Sequence, residues 1–139
     1  MNRRDFLKTS CALCGLAGAA ALIESCKKTN STSSTPQGPT VNFTLDLSQP
    51  ANASLNKSGG AVSSAGVIVV NTGSTYIALA QTCTHNGCNI GYNQSSNQFI
   101  CPCHNGIFDT NGKVVSGPPP APVKKYTVTK NGNILTIAG

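Results

Sequence analysis

Both histidines of this 139-residue chain, and four of its seven cysteines, lie in two short segments. Residues 83–88 have the pattern C-x-H-x-x-C, and residues 101–106 begin with C-x-C-H. Each segment therefore offers one Cys–His pair, spaced C-x-H in the first and C-x-x-H in the second, and one further cysteine. Two thiolates and two imidazoles can bind a tetrahedral zinc ion. They can also hold a [2Fe–2S] centre with two cysteines on one iron and two histidines on the other.

The two segments resemble the paired cluster-binding motifs of Rieske iron–sulfur proteins, in particular the disulfide-containing type found in cytochrome bc complexes and related membrane-bound oxidoreductases. The resemblance covers about residues 82–122. It implies a [2Fe–2S] cofactor, with Cys83 and Cys101 on one iron and His85 and His104 on the other.

The remaining cysteine of each segment strengthens the iron–sulfur interpretation over zinc. The resemblance implies that Cys88 and Cys103 form a disulfide between the two loops. The proline-rich stretch at residues 117–122 also resembles the segment that covers the cluster in this family. A plain four-ligand zinc site needs neither feature, so we expect an iron–sulfur protein.

Three positions depart from the high-potential members of that family. Those relatives carry a serine and a tyrosine hydroxyl near the cluster, where this chain has Gly106 and Phe108. They also carry an apolar side chain at the tip of the first motif, where this chain has Asn86. We therefore expect an electron-transfer subunit or shuttle for a partner oxidoreductase, with no catalytic residue of its own. A quinol-oxidising subunit of a cytochrome bc complex and a non-redox metal-binding lipoprotein are the alternatives.

The rest of the chain predicts a small all-β domain. Charged residues make up only 10% of the sequence, and Gly, Pro, Asn, Ser and Thr are abundant. Alternating or β-branched apolar runs predict strands, and Asn131-Gly132 predicts a hairpin turn between the last two. We expect an antiparallel Rieske-type sandwich or barrel over residues 40–139, with a small cluster-binding subdomain of two loops. The predicted strands lie at residues 41–47, 66–70, 75–81, 97–100, 125–129 and 133–138.

The first residues resemble a bacterial export signal. Arg3-Arg4, followed by Phe6, is similar to the twin-arginine motif, and an apolar run extends over residues 11–23. This run is shorter than the ~20 residues that a transmembrane helix needs, so residues 1–25 are predicted to be a signal segment. Folded export suits a protein whose cluster is assembled in the reducing cytoplasm.

The end of that segment resembles a lipoprotein processing site. Cys26 would become the acylated N-terminus, and the Ser/Thr-rich residues 26–39 would form a flexible tether. We expect a membrane-anchored protein on the periplasmic or outer-surface side of a bacterial membrane.

The formal net charge of +6 does not indicate nucleic-acid binding, because no stripe of Lys and Arg alternates with aromatic residues. The expected partners are a redox protein and the membrane.

Overall fold

Two antiparallel β-sheets make up the domain. The computed structural model describes residues 35–139. The predicted signal segment and Cys26 lie outside the described residues, as does most of the predicted tether. The two antiparallel sheets confirm the prediction of an all-β fold. The elements are β1 (Asn42–Asp46), a 3₁₀ helix (Pro50–Asn56), β2 (Ala61–Ser64), β3 (Val67–Asn71), β4 (Tyr76–Ala80), β5 (Gly91–Asn93), β6 (Gln98–Cys101), β7 (Gly106–Phe108), β8 (Val114–Ser116), β9 (Lys125–Asn131) and β10 (Ile134–Ala138).

The larger sheet has six strands in the order β1-β10-β9-β4-β3-β2. Two adjacent apolar strands, β3 and β4, are buried along almost their whole length, which explains why their sequences do not alternate between apolar and polar. Burial of these side chains supplies the main stabilisation of a domain this small. The fully buried members of this core include Val67, Val69, Val70, Leu79, Leu135 and Ile137.

The hairpin between β9 and β10 forms as predicted, but its turn lies one residue further on. Asn131 pairs with Ile134, so the two loop residues are Gly132 and Asn133. Gly132 has φ +58° at the first loop position, while Asn133 stays outside the positive-φ region. A glycine at that position is typical of a type II′ turn, so Gly132 determines where the chain reverses.

The smaller sheet is a four-stranded meander in the order β5-β6-β7-β8. It is inserted in the chain between β4 and β9, which are neighbours in the larger sheet. The loops that carry the predicted metal ligands therefore begin and end on strands whose partners are fixed.

One contact extends the folded domain towards the N-terminus. Gln37, inside the segment predicted as a tether, forms an isolated parallel bridge with Val123. Within residues 35–139, no helix is long and apolar enough to cross a bilayer.

Candidate metal centre

The first ligand loop follows β4 and is closed by backbone hydrogen bonds. The Cys83 N–H donates to the Cys88 carbonyl at 2.8 Å, and the Gly87 N–H donates to the Cys83 carbonyl at 3.0 Å. At the base of the loop, Thr82 and Asn89 form an antiparallel bridge. These bonds make the loop compact although it buries few apolar side chains.

The second ligand loop is the connection between β6 and β7. Cys101 is the last residue of β6 and pairs directly with Gly106, the first residue of β7. Residues 102–105 form the turn, and Asn105 takes a left-handed conformation with φ +54°. Asparagine tolerates this region better than most residues. Because the turn is short, the ladder between β6 and β7 fixes the direction of both its ends.

A disulfide joins the two loops. Cys88 and Cys103 are bonded, with their Cα atoms 6.5 Å apart, which confirms the predicted pairing. The Cys101 sulfur lies within 4.8 Å of both disulfide sulfurs. Those three sulfurs do not form a metal site, because a disulfide has no thiolate to donate. The disulfide instead lies close beside the Cys101 sulfur.

The four predicted ligands divide into an inner pair and an outer pair. Cys83 and Cys101 are unbonded thiols, and each is only 2% exposed. His85 and His104 are exposed, and their ring centroids lie 4.7 Å apart in an edge-to-face arrangement. The fold thus brings together two buried soft donors and two accessible imidazoles at the same pair of loops.

The surroundings of the buried Cys83 thiol favour its neutral form over the thiolate. Burial raises the pKa of the Cys83 thiol, and the neighbouring Cys101 thiol raises that pKa further. The backbone N–H groups of His85 and Asn86 donate towards the Cys83 sulfur and lower the pKa, as donors to a thiolate should. A cation that displaces the thiol proton would find two adjacent sulfur ligands already desolvated. This donor set fits a [2Fe–2S] cluster.

The proline-rich loop lies directly against the second ligand loop. Pro119 is buried, and its Cγ lies 2.6 Å from the point where a side chain on Gly106 would place its first carbon. A side chain at Gly117 would likewise meet the Gly106 Cα at 2.8 Å. Glycine is therefore required by the close approach of the two backbones. The absence of a hydroxyl at Gly106 has a steric explanation in this chain.

A side-chain hydrogen bond connects the proline-rich loop to the first ligand loop. The partly buried Thr84 Oγ1 donates to the Ala121 carbonyl at 2.6 Å. Sequence reasoning did not single out Thr84, and its only sequence signal is its position between Cys83 and His85. The proline-rich loop thereby contacts both ligand loops, as expected of a cover.

These features are those of a small electron-transfer domain with a mixed cysteine–histidine iron–sulfur site. The family model for the Rieske [2Fe-2S] domain matches residues 45–127, so the chain belongs to that family.

Two curated relatives match about half of the chain. The chain is 39% identical over 72 residues to the cytochrome b6-f complex iron-sulfur subunit of Chlorobaculum thiosulfatiphilum, covering 52% of this chain and 40% of that protein. It is 42% identical over 71 residues to the carotenoid phi-ring synthase of Chlorobaculum tepidum, covering 51% of this chain and 11% of that protein. The chain thus spans less than half the length of either relative.

Among solved structures, the ferredoxin of carbazole 1,9a-dioxygenase from Nocardioides aromaticivorans is similar with a TM-score of 0.53 and 28% identity. The match covers 61% of this chain and 91% of that one. The family assignment and the relatives support a [2Fe–2S] cofactor and one-electron transfer. They favour this function over the zinc site and over the non-redox lipoprotein.

The close contact at Gly106 leads to a stability prediction. Gly106→Ala should destabilise the domain by about 1–3 kcal/mol, because Pro119 must move to admit the methyl group. Gly91→Ala is the matched control: Gly91 belongs to the same small sheet, and nothing lies within 4 Å of its added carbon. The control should stay within about 0.5 kcal/mol of the parent. Urea unfolding measures both, and equal midpoints for the two variants would show that Pro119 does not constrain Gly106.

Proposed function

We propose that the chain transfers single electrons to and from a partner oxidoreductase, with its cluster held by Cys83 and Cys101 on one iron and by His85 and His104 on the other. The observation that carries this assignment is the division of the four residues into two buried adjacent thiols and two exposed adjacent imidazoles. When bound, the cluster supplies a one-electron redox couple.

The proposed site has a buried side, formed by the two cysteines, and an exposed side, formed by the two histidines. The buried cysteines keep their sulfurs away from water, while backbone N–H groups of the first loop point at the Cys83 sulfur. The imidazoles stand at the surface, where a partner protein can approach them closely. No Asp, Glu, Lys or Arg occurs in residues 58–108, so both ligand loops are uncharged. A partner would therefore contact a polar, uncharged tip at this site.

The ligand assignment predicts which cysteines the cluster needs. Cys83→Ser and Cys101→Ser should each abolish the EPR signal of the dithionite-reduced protein, because either change removes one of four ligands. His85→Ala and His104→Ala should do the same. The control is the double variant Cys88→Ser/Cys103→Ser, which removes the disulfide but leaves the proposed ligand set intact.

That control should retain a rhombic EPR signal and a coloured oxidised form, although it should unfold more readily by about 2–4 kcal/mol. Retention of the signal in Cys83→Ser, or its complete loss in the disulfide variant with the fold intact, would refute the proposed division of the cysteines.

Three residues of the ligand loops and of β7 favour a partner other than a quinol site. Asn86 at the tip of the first loop is exposed and polar, and neither Gly106 nor Phe108 supplies a hydroxyl. The second candidate is a quinol-oxidising subunit, which is favoured by the 39% identity to a cytochrome b6-f complex iron-sulfur subunit. The match to 11% of a carotenoid phi-ring synthase supports the first candidate, because a related domain is part of a different protein there.

The reduction potential separates the two candidates. Reduction makes the cluster more negative, so hydroxyl donors would stabilise the reduced state and raise the potential. Without them, the potential should lie in the lower half of the Rieske range of about −150 to +300 mV. Protein-film voltammetry of the purified domain measures it, and a value near the upper limit would favour quinol oxidation. A Gly106→Ser variant is not a clean test, because its first side-chain carbon would meet Pro119.

We further propose that the protein is exported folded by a twin-arginine signal and anchored by a lipid on Cys26. The supporting features are Arg3-Arg4, the short apolar run and the position of Cys26 at its end. An anchor at Cys26 would precede the Gln37 bridge by 11 residues.

The anchor is tested by Cys26→Ser in the full chain expressed in a bacterium. The parent should fractionate with membranes and carry an acyl mass on its N-terminal peptide. The variant should lose that mass and shift to the soluble fraction. Cys11→Ser is a control in the apolar run and should leave fractionation unchanged. An unmodified Cys26 in the membrane-bound parent would favour an uncleaved N-terminal anchor instead.

A further inference from the structure

Residues 37–39, shortly before β1, are bonded to the chain that leaves the proline-rich loop. The Gln37 N–H donates to the Pro122 carbonyl at 3.1 Å, and the Lys124 N–H donates to the Gln37 carbonyl at 2.8 Å. Two hydrogen bonds on one residue form a complete parallel bridge. We call residues 37–39 the strap.

Side-chain packing holds the strap in the same place. The Tyr126 hydroxyl donates to the Pro39 carbonyl at 2.7 Å, and this contact is partly buried. A side chain on Gly38 would meet the Ala80 Cβ and the Tyr126 hydroxyl, both at 2.7 Å. The strap therefore packs closely against its neighbours. Gly38, at its centre, cannot be replaced by a larger residue unless the surrounding atoms move.

The segment beneath the strap is held on its other side by parts of the metal centre and its scaffold. The Val123 N–H donates to the Gly112 carbonyl at 2.9 Å, and the Ala80 N–H donates to the Lys124 carbonyl at 2.8 Å. The Ala121 carbonyl receives the Thr84 hydroxyl from the first ligand loop. The strap thus pairs with one side of residues 122–124, the segment in which the proline-rich loop ends.

We propose that the strap is a positioning element of the cluster site: by pairing with residues 122–124, it holds the proline-rich loop against Gly106 and Thr84. Any effect of the strap on the cluster rests on the ligand set of the proposed function. Its effect on the position of the proline-rich loop does not depend on that ligand set. Through this pairing, the chain that leads from the N-terminus is connected to the cover of the metal centre.

The test uses two pairs of matched variants in the full chain. Gln37→Pro removes the N–H that donates to Pro122, whereas Gln37→Ala changes only the side chain and keeps both backbone bonds. Tyr126→Phe removes the hydroxyl bond to Pro39. Tyr76→Phe removes a comparable hydroxyl bond to the Leu55 carbonyl, at 3.3 Å, in the 3₁₀ helix away from the loop.

Three measurements are made on each variant: hydrogen exchange, chelator bleaching and the EPR g-values of the reduced protein. Hydrogen exchange of the Val123 amide, which donates to the Gly112 carbonyl, reports on the end of the proline-rich loop. The rate at which a chelator bleaches the visible absorption of the holoprotein reports on cluster protection. Gln37→Pro and Tyr126→Phe should accelerate both on the order of fivefold, as expected for the loss of one hydrogen bond, and should alter the EPR g-values of the reduced protein. Gln37→Ala and Tyr76→Phe should match the parent in all three.

Each other outcome counts against the proposal. Parent-like exchange in both strap variants would show that the loop keeps its position without the strap. Equal acceleration in Tyr76→Phe would show that exchange follows overall stability. Faster exchange with unchanged bleaching and unchanged g-values would confine the strap to a structural role. If the ligand assignment fails, the exchange comparison still decides whether the strap positions the loop.

Discussion

Two loops that bury almost no apolar side chains must be held face to face, and the rest of the domain is organised by this constraint. In the two ligand loops the buried side chains are Cys83 and Cys101, so hydrophobic packing contributes little to bringing the loops together. Covalent and polar contacts replace it: the Cys88–Cys103 disulfide joins the loops, and the Thr84 hydroxyl binds the proline-rich loop. Such contacts depend on direction, which explains why both loops begin from paired strands or bridges.

The same arrangement separates the two kinds of donor by solvent exposure. Thiolates are poorly stabilised in an apolar interior, and burial accordingly raises the pKa of Cys83. Metal binding must therefore release protons from the thiols, which couples cofactor insertion to pH and to folding. The two imidazoles, which would be neutral ligands in the proposed site, lie at the surface. The buried thiols thus need a metal cation to stabilise their charged form. The exposed imidazoles, in contrast, are accessible to a partner protein.

The positions of the two ligand loops were more predictable from the sequence than the contacts that support them. The spacing of Cys and His identified both loops, and apolar runs identified β3, β4 and the β9–β10 hairpin, because those signals are local. The short strands β2, β5, β7 and β8 were not predicted, since three or four residues carry too little periodicity. The seven-residue 3₁₀ helix was not predicted either. The contacts of Thr84 with Ala121, of Gly106 with Pro119 and of Gln37 with Val123 join residues far apart in sequence. No local pattern encodes them.

The position of the small sheet within the chain also bears on the order of folding. Pairing of β4 with β9 joins Ala78 to Tyr126 across the whole inserted meander. Closing a loop costs more entropy the longer the loop is, and such non-local pairings form slowly. Each strand of the meander pairs with its sequence neighbour, so the meander can form first and shorten the effective separation of β4 and β9. The segment that carries the metal ligands would then bring β4 and β9 close enough for the larger sheet to close.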